Sequence, residues 1–275
     1  MPQTADEEMR AVLTGEHPGL AGIRRTMKHV PASPRCKLCA APFSGLGGAV
    51  LRHFGYARFP ANPALCVRCI TEFKAHGLTG TEIPVTMLFA DVRGSTTIGE
   101  RMRPNDFRAY LDHFYRIGSA AILRHDGLVD KIVGDEVIGL FFGGITGPDH
   151  AAAAIRAARE LLEGVGRQNA TPMGPIPVGA GVHSGEAYVG ATGPTGAPED
   201  FTAIGDAVNT GSRLCSLAKP DQVILSEATY RKVQDRVAAV ALPPVKLRGK
   251  SEELRIWNAF GMRQSEWRAD STKPF

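Results

Sequence analysis

The alternation of short apolar runs with helical patterns between residues 84 and 260 constrains the fold of this chain more than any other feature of its sequence. Residues 85–92 form an apolar run of strand length, and residues 104–124 carry apolar side chains at helical spacing. Two further apolar runs flank a Gly-Asp-Glu turn at 134–136, which indicates a hairpin. This order predicts an α+β domain in which the helices pack on one face of a sheet.

The same patterns predict further elements along the chain. The predicted helices lie at 6–13, 151–162, 207–218 and 227–232. The predicted strands lie at 128–133, 137–142, 178–182, 187–189, 222–225, 237–242, 245–247 and 255–260.

Composition excludes several classes of protein. The chain has 275 residues, of which 43% are hydrophobic and 22% charged, so it can bury a core and is neither disordered throughout nor collagen-like. Its net charge of +4 is too small to indicate a nucleic-acid partner, and the basic excess falls within the first 83 residues. Because no run approaches the roughly 18 apolar residues of a membrane span and the N-terminus is acidic, we expect a cytoplasmic protein.

Four of the five cysteines form two pairs with two residues inside each pair and 26 residues between the pairs; they are Cys36, Cys39, Cys66 and Cys69. In a reducing compartment this spacing favours a metal over disulfides, and four thiolates suit structural Zn²⁺. An iron centre of the rubredoxin or iron–sulfur type, or thiols without metal, remain alternatives. A segment this short has too little core to fold without such a link.

These features divide the chain into five parts. Residues 1–35 form an N-terminal extension, 36–69 a zinc-ribbon-like module, 70–83 a linker, 84–260 the main domain and 261–275 a polar tail. The cysteine module has three candidate roles: it braces a dimer, receives a regulatory protein partner, or senses redox state.

Two aspartates stand where predicted strands give way to turns, namely Asp91 in LFADVRGST and Asp135 in KIVGDEV. A carboxylate among apolar residues costs several kcal/mol unless it has a partner. Two such carboxylates on neighbouring strands would suit Mg²⁺ and a substrate phosphate. The backbone N–H groups that follow could cradle that phosphate; they belong to Arg93, Gly94, Ser95 and Thr96. The alternative is a helix cap at Asp91 and a turn residue at Asp135.

A third segment, FTAIGDAVNTGSRL at 201–214, places Asn209 and Arg213 four residues apart on one helix face. Arginine at such a position can meet negative charge that develops on a phosphate. The alternative is an ordinary solvated helix face with Asp206 as its N-cap.

Five segments together resemble a known family. In order, they are LFADVRGST, DKIVGDEVIGLF, VGAGVHSGEAYVGATG, FTAIGDAVNTGSRL and VKLRGK. Their order and spacing are similar to those of the class III nucleotidyl cyclase catalytic domain, over residues 84–260. The resemblance implies a ferredoxin-like α+β core and a head-to-tail homodimer whose active sites are built across the interface.

The resemblance also implies residue roles. Asp91 and Asp135 match the aspartates that hold two Mg²⁺ or Mn²⁺ ions, and Lys250 matches the lysine that holds the triphosphate, a role that Arg248 could share. The remaining matches are base-reading positions at Lys131 and Thr202, and a pair that orients the ribose and stabilises the transition state at Asn209 and Arg213.

The base-reading pair favours ATP. Lys131 only donates hydrogen bonds and so suits N1 of adenine, while the Thr202 hydroxyl can accept from the adenine amino group. Guanine presents the opposite pattern and would call for glutamate at 131. We therefore expect an adenylate cyclase that makes cyclic AMP and pyrophosphate. The alternatives are a cyclase for GTP or a pyrimidine triphosphate, and a catalytically degenerate regulatory module that acts through its zinc module.

Overall fold

The computed structural model describes residues 4–30, 32–60, 62–75, 79–167, 174–192, 200–250 and 252–263. The helices are α1 (Ala5–Thr14), α2 (Pro18–Lys28), α3 (Gly45–Arg52), α4 (Val67–Ala75), α5 (Ser95–Glu100), α6 (Pro104–Arg124), α7 (Gly143–Thr146), α8 (His150–Val165), α9 (Asp206–Leu217) and α10 (Glu227–Val233). The strands are β1 (Arg58–Phe59), β2 (Asn62–Cys66), β3 (Gly80–Val92), β4 (Leu128–Val133), β5 (Glu136–Phe142), β6 (Val178–Thr192), β7 (Asp200–Ile204), β8 (Val223–Ser226), β9 (Val237–Lys246) and β10 (Glu253–Met262).

Eight of these strands form one sheet, and the prediction of an α+β fold is confirmed. Its order is β4-β5-β3-β6-β8-β10-β9, and β7 pairs with β6 beside this path. All pairs are antiparallel except β6 with β8, which are parallel. A parallel pair requires a crossover, and α9 lies within the connection that makes it. The predicted hairpin is present as β4 and β5.

The prediction that helices cover one face of the sheet is wrong, because both faces are covered. On one side, which we call the helical face, α6, α8 and α10 pack on residues such as Leu88 and Ala90. On the other, the module face, α1, α9 and the four-cysteine segment pack on residues such as Val85, Met87 and Phe89. Neighbouring residues of β3 point to opposite faces and nearly all are apolar, which is the pattern of a strand buried on both sides.

Two pairs of predicted short strands are single long strands. The runs at 178–182 and 187–189 both belong to β6, which continues through Gly185. This glycine allows the close approach of α9, because a Cβ there would lie 2.9 Å from that of Ala207. The run at 237–242 and all but the last residue of the run at 245–247 belong to β9, which tolerates its two prolines because it is an edge strand.

Near the N-terminus, the segment that contains Arg24, Arg25 and Lys28 forms helix α2. The sequence patterns did not predict this helix. No helix in the described parts of the chain is both long and apolar enough to cross a lipid bilayer.

Candidate active site and four-cysteine cluster

The pairing of β3 with β5 brings the two predicted aspartates to the same end of the sheet. Asp91 is the second-to-last residue of β3 and pairs with Glu136 of β5. The backbone N–H of Val92 donates to the carbonyl of Asp135 at 3.1 Å, which ties the hairpin turn to the end of β3. The two carboxylates therefore lie near each other, as expected, while their role as metal ligands stays a prediction.

The charges at this end of the sheet act on one another. Burial raises the pKa of Asp91, the Arg93 guanidinium opposes that rise, and the Asp135 carboxylate adds to it. Burial, together with Asp91 and Asp135, raises the pKa of Glu136 to about 7. Three carboxylates with Arg93 as the cation that acts on them form a donor set that suits Mg²⁺ or Mn²⁺. Sequence reasoning missed Glu136, although its position directly after Asp135 and in a strand beside β3 could have indicated it.

The segment after Asp91 contacts the aspartates through side chains. Arg93 forms an ion pair with Asp91, and the Ser95 hydroxyl donates to the Asp135 carboxylate. The backbone N–H of Arg93 donates to the Pro177 carbonyl at 2.6 Å, so this amide is not left for a phosphate, contrary to the expected cradle. Gly94 adopts a left-handed conformation (φ 71°) before α5, and Thr96 is exposed in its first turn.

Helix α9 carries the second group of predicted residues. Asn209 is exposed and Arg213 half-buried on the same face of the helix. The Arg213 guanidinium lies against the turn at Gly249, 3.5 Å from the place where a Cβ would stand. In the same region Lys250 forms an ion pair with Asp206. Asp206 is the first residue of α9 rather than its N-cap, which is Gly205.

Two glycines set the height of α9 above the sheet. A Cβ on Gly181 of β6 would lie 2.4 Å from the backbone nitrogen of Cys215, and one on Gly211 of α9 would lie 2.4 Å from the Phe89 ring. Neither position accepts a larger residue without movement of the helix. The helix is thus held close to β6, and this contact fixes where Asn209 and Arg213 project.

The predicted base-reading residues lie on strands that contact each other. Lys131 is half-buried in β4, and Thr202 lies in the neighbouring β7. The Thr202 side chain is only 2% exposed, and its hydroxyl donates weakly to the Ala203 carbonyl at 3.5 Å. A nucleotide base would reach this hydroxyl only after the surroundings of β7 open, which the sequence did not foretell.

The four paired cysteines form a compact, buried cluster. All four Sγ atoms lie within 4.8 Å of one another, and those of Cys39 and Cys66 are 3.7 Å apart. A tetrahedral zinc site with bonds of about 2.3 Å has sulfur–sulfur distances of about 3.8 Å. Hydrogen bonding to the other thiols, first to Cys36, and burial raise the pKa of Cys69. The geometry and the donor set therefore fit Zn²⁺, although the identity of a metal stays a prediction.

Comparison with known proteins finds a family match for the larger part of the chain. Residues 80–258 match the family described as the adenylate and guanylate cyclase catalytic domain. Adenylate cyclase 1 of Rhizobium meliloti (strain 1021) is 32% identical over 186 residues, which cover 65% of this chain and 28% of that protein. Adenylate cyclase of Anabaena cylindrica is 32% identical over 181 residues, which cover 63% of this chain and 36% of that protein. The chain thus spans about a third of the length of these curated relatives.

The fold gives the same assignment. The crystal structure of the guanylyl cyclase Cya2 superposes with a TM-score of 0.63 and 26% identity, covering 68% of this chain and 97% of that one. Proteins named for adenine and for guanine nucleotides are both similar to this chain, so similarity alone does not choose the base. The family match covers more than half of the sequence, and the chain belongs to the adenylate and guanylate cyclase catalytic domain family.

Proposed function

We propose that this protein is an adenylate cyclase that converts ATP to 3′,5′-cyclic AMP and pyrophosphate. The observation that carries the cyclase assignment is the register of β3 with β5, which brings Asp91 and Asp135 together. Lys131, on β4, is the residue whose chemistry favours ATP. In the reaction the ribose 3′-hydroxyl oxygen bonds to the α-phosphorus, the bond from that phosphorus to the leaving oxygen breaks, and the hydroxyl proton is released.

Asp91 and Asp135 would hold two Mg²⁺ or Mn²⁺ ions, with Glu136 beside them. When bound, such ions make the 3′-hydroxyl more acidic and neutralise charge on the leaving phosphates. Arg93 and Ser95 would then exchange their contacts with the carboxylates for contacts with the substrate. No side chain has to act as a dedicated general base in this scheme.

The cationic residues around α9 would act on the phosphates. Lys250 would bind the triphosphate after leaving Asp206, and Arg213 would stabilise the charge that builds on the α-phosphate. Asn209 would orient the ribose, so that most of the rate gain comes from positioning and electrostatics.

In our proposal the active form is a homodimer, as the resemblance to the cyclase family implies. The aspartates of one chain work with Lys131, Thr202, Asn209 and Arg213 of a second copy, and two equivalent sites result.

A four-nucleotide assay tests this function. The full chain is incubated with Mn²⁺ and ATP, GTP, CTP or UTP separately, at several enzyme concentrations, and cyclic products are measured. We expect the highest kcat/KM with ATP and a specific activity that rises with enzyme concentration until the dimer is saturated. A higher kcat/KM with GTP would replace the adenine assignment, and the absence of any cyclic product would leave only a degenerate module.

A substitution at the base-reading position sharpens the test. Lys131→Glu replaces a donor with an acceptor, and we expect it to lower kcat/KM for ATP by about 10-fold to 100-fold and to narrow the gap to GTP. The exposed Lys246→Glu in β9 makes the same charge change on another strand and serves as the control. Equal effects of the two substitutions would rule out a role for Lys131 in base selection.

A further inference from the structure

The strand that carries Lys131 is held by the four-cysteine module. Strand β4 is the terminal strand of the sheet, so β5 pairs with only one of its edges. The segment that contains the cysteines donates side-chain hydrogen bonds from two of its residues to β4, to the turn before it and to the end of α6. Each contact comes from a residue close to one of the two cysteine pairs.

The first contact is made by Lys37, which lies between Cys36 and Cys39. Its ammonium donates to the Leu123 carbonyl at 2.8 Å and to the Asp126 carboxylate at 2.7 Å. These acceptors lie at the end of α6 and in the turn that leads into β4. The Lys37 side chain is 19% exposed and that of Asp126 is 56% exposed, so the lysine end of the ion pair is shielded from water and the aspartate end is not.

The second contact is made by Asn62, four residues before Cys66. Its side-chain amide donates to the Val129 carbonyl at 3.1 Å, and its oxygen accepts from the Ala64 N–H at 3.2 Å. The pairing of β4 with β5 shifts register between Val129 and Lys131, which marks a β-bulge. Bulges set the direction of the side chains beside them, so Asn62 holds the backbone at the point that aims Lys131.

Apolar packing joins the same parts. Leu65 and Cys66 of β2 belong to one buried cluster with Leu128 of β4 and Ile138 of β5. The module and the edge of the catalytic sheet thus share a core. A metal that fixes the two cysteine pairs relative to each other would also fix Lys37 and Asn62 relative to each other.

We propose that the four-cysteine module, loaded with zinc, positions the base-reading strand β4, with Lys37 and Asn62 as the positioning residues. Zinc occupancy then sets the affinity for the nucleotide and the preference for its base. The link to nucleotide selection rests on the proposed function, since it requires Lys131 to read the base. The mechanical link from module to strand does not depend on catalysis.

Steady-state kinetics of four full-length variants test the link to nucleotide selection. Lys37→Met and Asn62→Ala each remove one contact, and Lys37→Arg retains the cation. As a control, Arg24→Ala removes a hydrogen bond from α2 to the Gly144 carbonyl of α7, which is not an atom of β4. We expect KM for ATP to rise about threefold to tenfold in the first two variants, with kcat within about twofold and the ATP-to-GTP preference reduced. Lys37→Arg should restore KM, and Arg24→Ala should leave it unchanged.

Hydrogen exchange tests the mechanical link without any activity measurement. The full chain is compared with one zinc per chain and after the zinc is stripped by a thiol-compatible chelator. We expect amide exchange in 128–133 to quicken at least about 10-fold on zinc loss, while exchange in 237–246, at the opposite edge of the sheet, changes little. Unfolding of the whole chain would quicken both segments alike and would overturn the proposal.

Together, the two experiments distinguish failure of the proposed function from failure of the positioning proposal. A wild-type protein that makes no cyclic nucleotide sinks the proposed function, and exchange then decides the mechanical link alone. An active wild-type protein whose KM and base preference are the same in Asn62→Ala, Lys37→Met and Arg24→Ala sinks the positioning proposal and leaves the cyclase assignment standing. Equal rises in KM in all three variants would also sink it, because the effect would then not depend on β4.

Discussion

The two faces of the sheet are closed in different ways. On the helical face, a run of buried alanines in α8 lets the helix pack closely on the sheet, and α6 covers the adjoining strands. On the module face, α9 covers one part and the rest is covered by short elements around four buried cysteines. The helical face is therefore closed mainly by apolar packing, whereas part of the module face depends on a cluster suited to a metal.

Each face also holds a histidine kept neutral by burial. On the helical face, His150 is hydrogen-bonded to the Thr86 hydroxyl at 2.8 Å, and burial lowers its pKa to about 4. On the module face, His183 is hydrogen-bonded to the Ser226 hydroxyl at 2.8 Å, and burial, followed by Lys250, lowers its pKa to about 4. His183 borders a cavity of about 300 Å³ that Lys250 also lines, so only the second histidine adjoins the candidate site.

The largest expected effect comes from removing the metal ligands. In Cys39→Ser/Cys66→Ser we expect no bound zinc, because two of the four thiolate ligands are removed. Loss of a structural zinc site costs on the order of 10 kcal/mol of folding free energy. Hydrogen exchange should then quicken across the module face while the amides of α8 stay protected, and cyclase activity should fall at least about 100-fold. Cys215→Ser, at a buried cysteine outside the cluster, should retain zinc. Simultaneous loss of protection on both faces would break the comparison.

The next largest effect is a loss of activity without a loss of zinc or of stability. Asp135→Asn should lower kcat at least about 100-fold because it removes a charge from the proposed metal site, while zinc content and thermal unfolding stay near those of the parent. Asp112→Asn, at an exposed aspartate of α6, is the control and should be fully active. Turnover by Asp135→Asn at the parental rate would contradict the proposed metal site.

A cavity created by substitution on the helical face should lower the free energy of unfolding by the same amount with and without zinc. Leu161 of α8 is fully buried, and Leu161→Ala should lower the free energy of unfolding by about 2–5 kcal/mol. Urea titrations with and without zinc should give the same loss, because the residue lies on the face that the module does not cover. Leu46→Ala, at a side chain 90% exposed, should change little. A loss that disappears without zinc would show that the faces are coupled.

How much of this could be predicted from the sequence differs between the faces. The convergence of Asp91 and Asp135 and the shared face of Asn209 and Arg213 followed from strand order and helical spacing. The apolar run of β3 could have indicated burial on both sides, but the α+β pattern suggested one covered face. β6 was predicted as two strands because Gly185, which allows α9 to approach the sheet, resembles a turn residue in the sequence.

Features set by tertiary contact could not be predicted. Burial of Thr202 depends on what covers β7, and the contact of Asn62 with Val129 joins residues 67 apart in the chain. No local periodicity carries such information. The cysteine spacing predicted correctly that the four thiols lie together, while the metal itself stays a prediction. The spacing gave no sign that this cluster shares a core with the large sheet.

The smallest effect is a pH dependence on the helical face. Because the pKa of His150 is lowered from 6.5 to about 4 in the folded protein, its contribution to stability is complete above pH 6.5 and is lost as the pH falls toward 4. Between pH 7 and pH 5 this loss should be about 2 kcal/mol. Urea midpoints of the parent should therefore fall further over this range than those of His150→Gln. Identical pH dependence in the two proteins would contradict a neutral, buried His150.

The shared core on the module face limits how the protein can be shortened. A fragment trimmed to the family match, 80–258, would lose α1 and all four paired cysteines. It would expose Val85, Met87, Leu140 and Phe142, which are buried in the full chain. A bare apolar patch of this kind promotes aggregation. A soluble, minimal catalytic fragment would therefore have to retain the N-terminal residues or carry polar replacements on that side of the sheet.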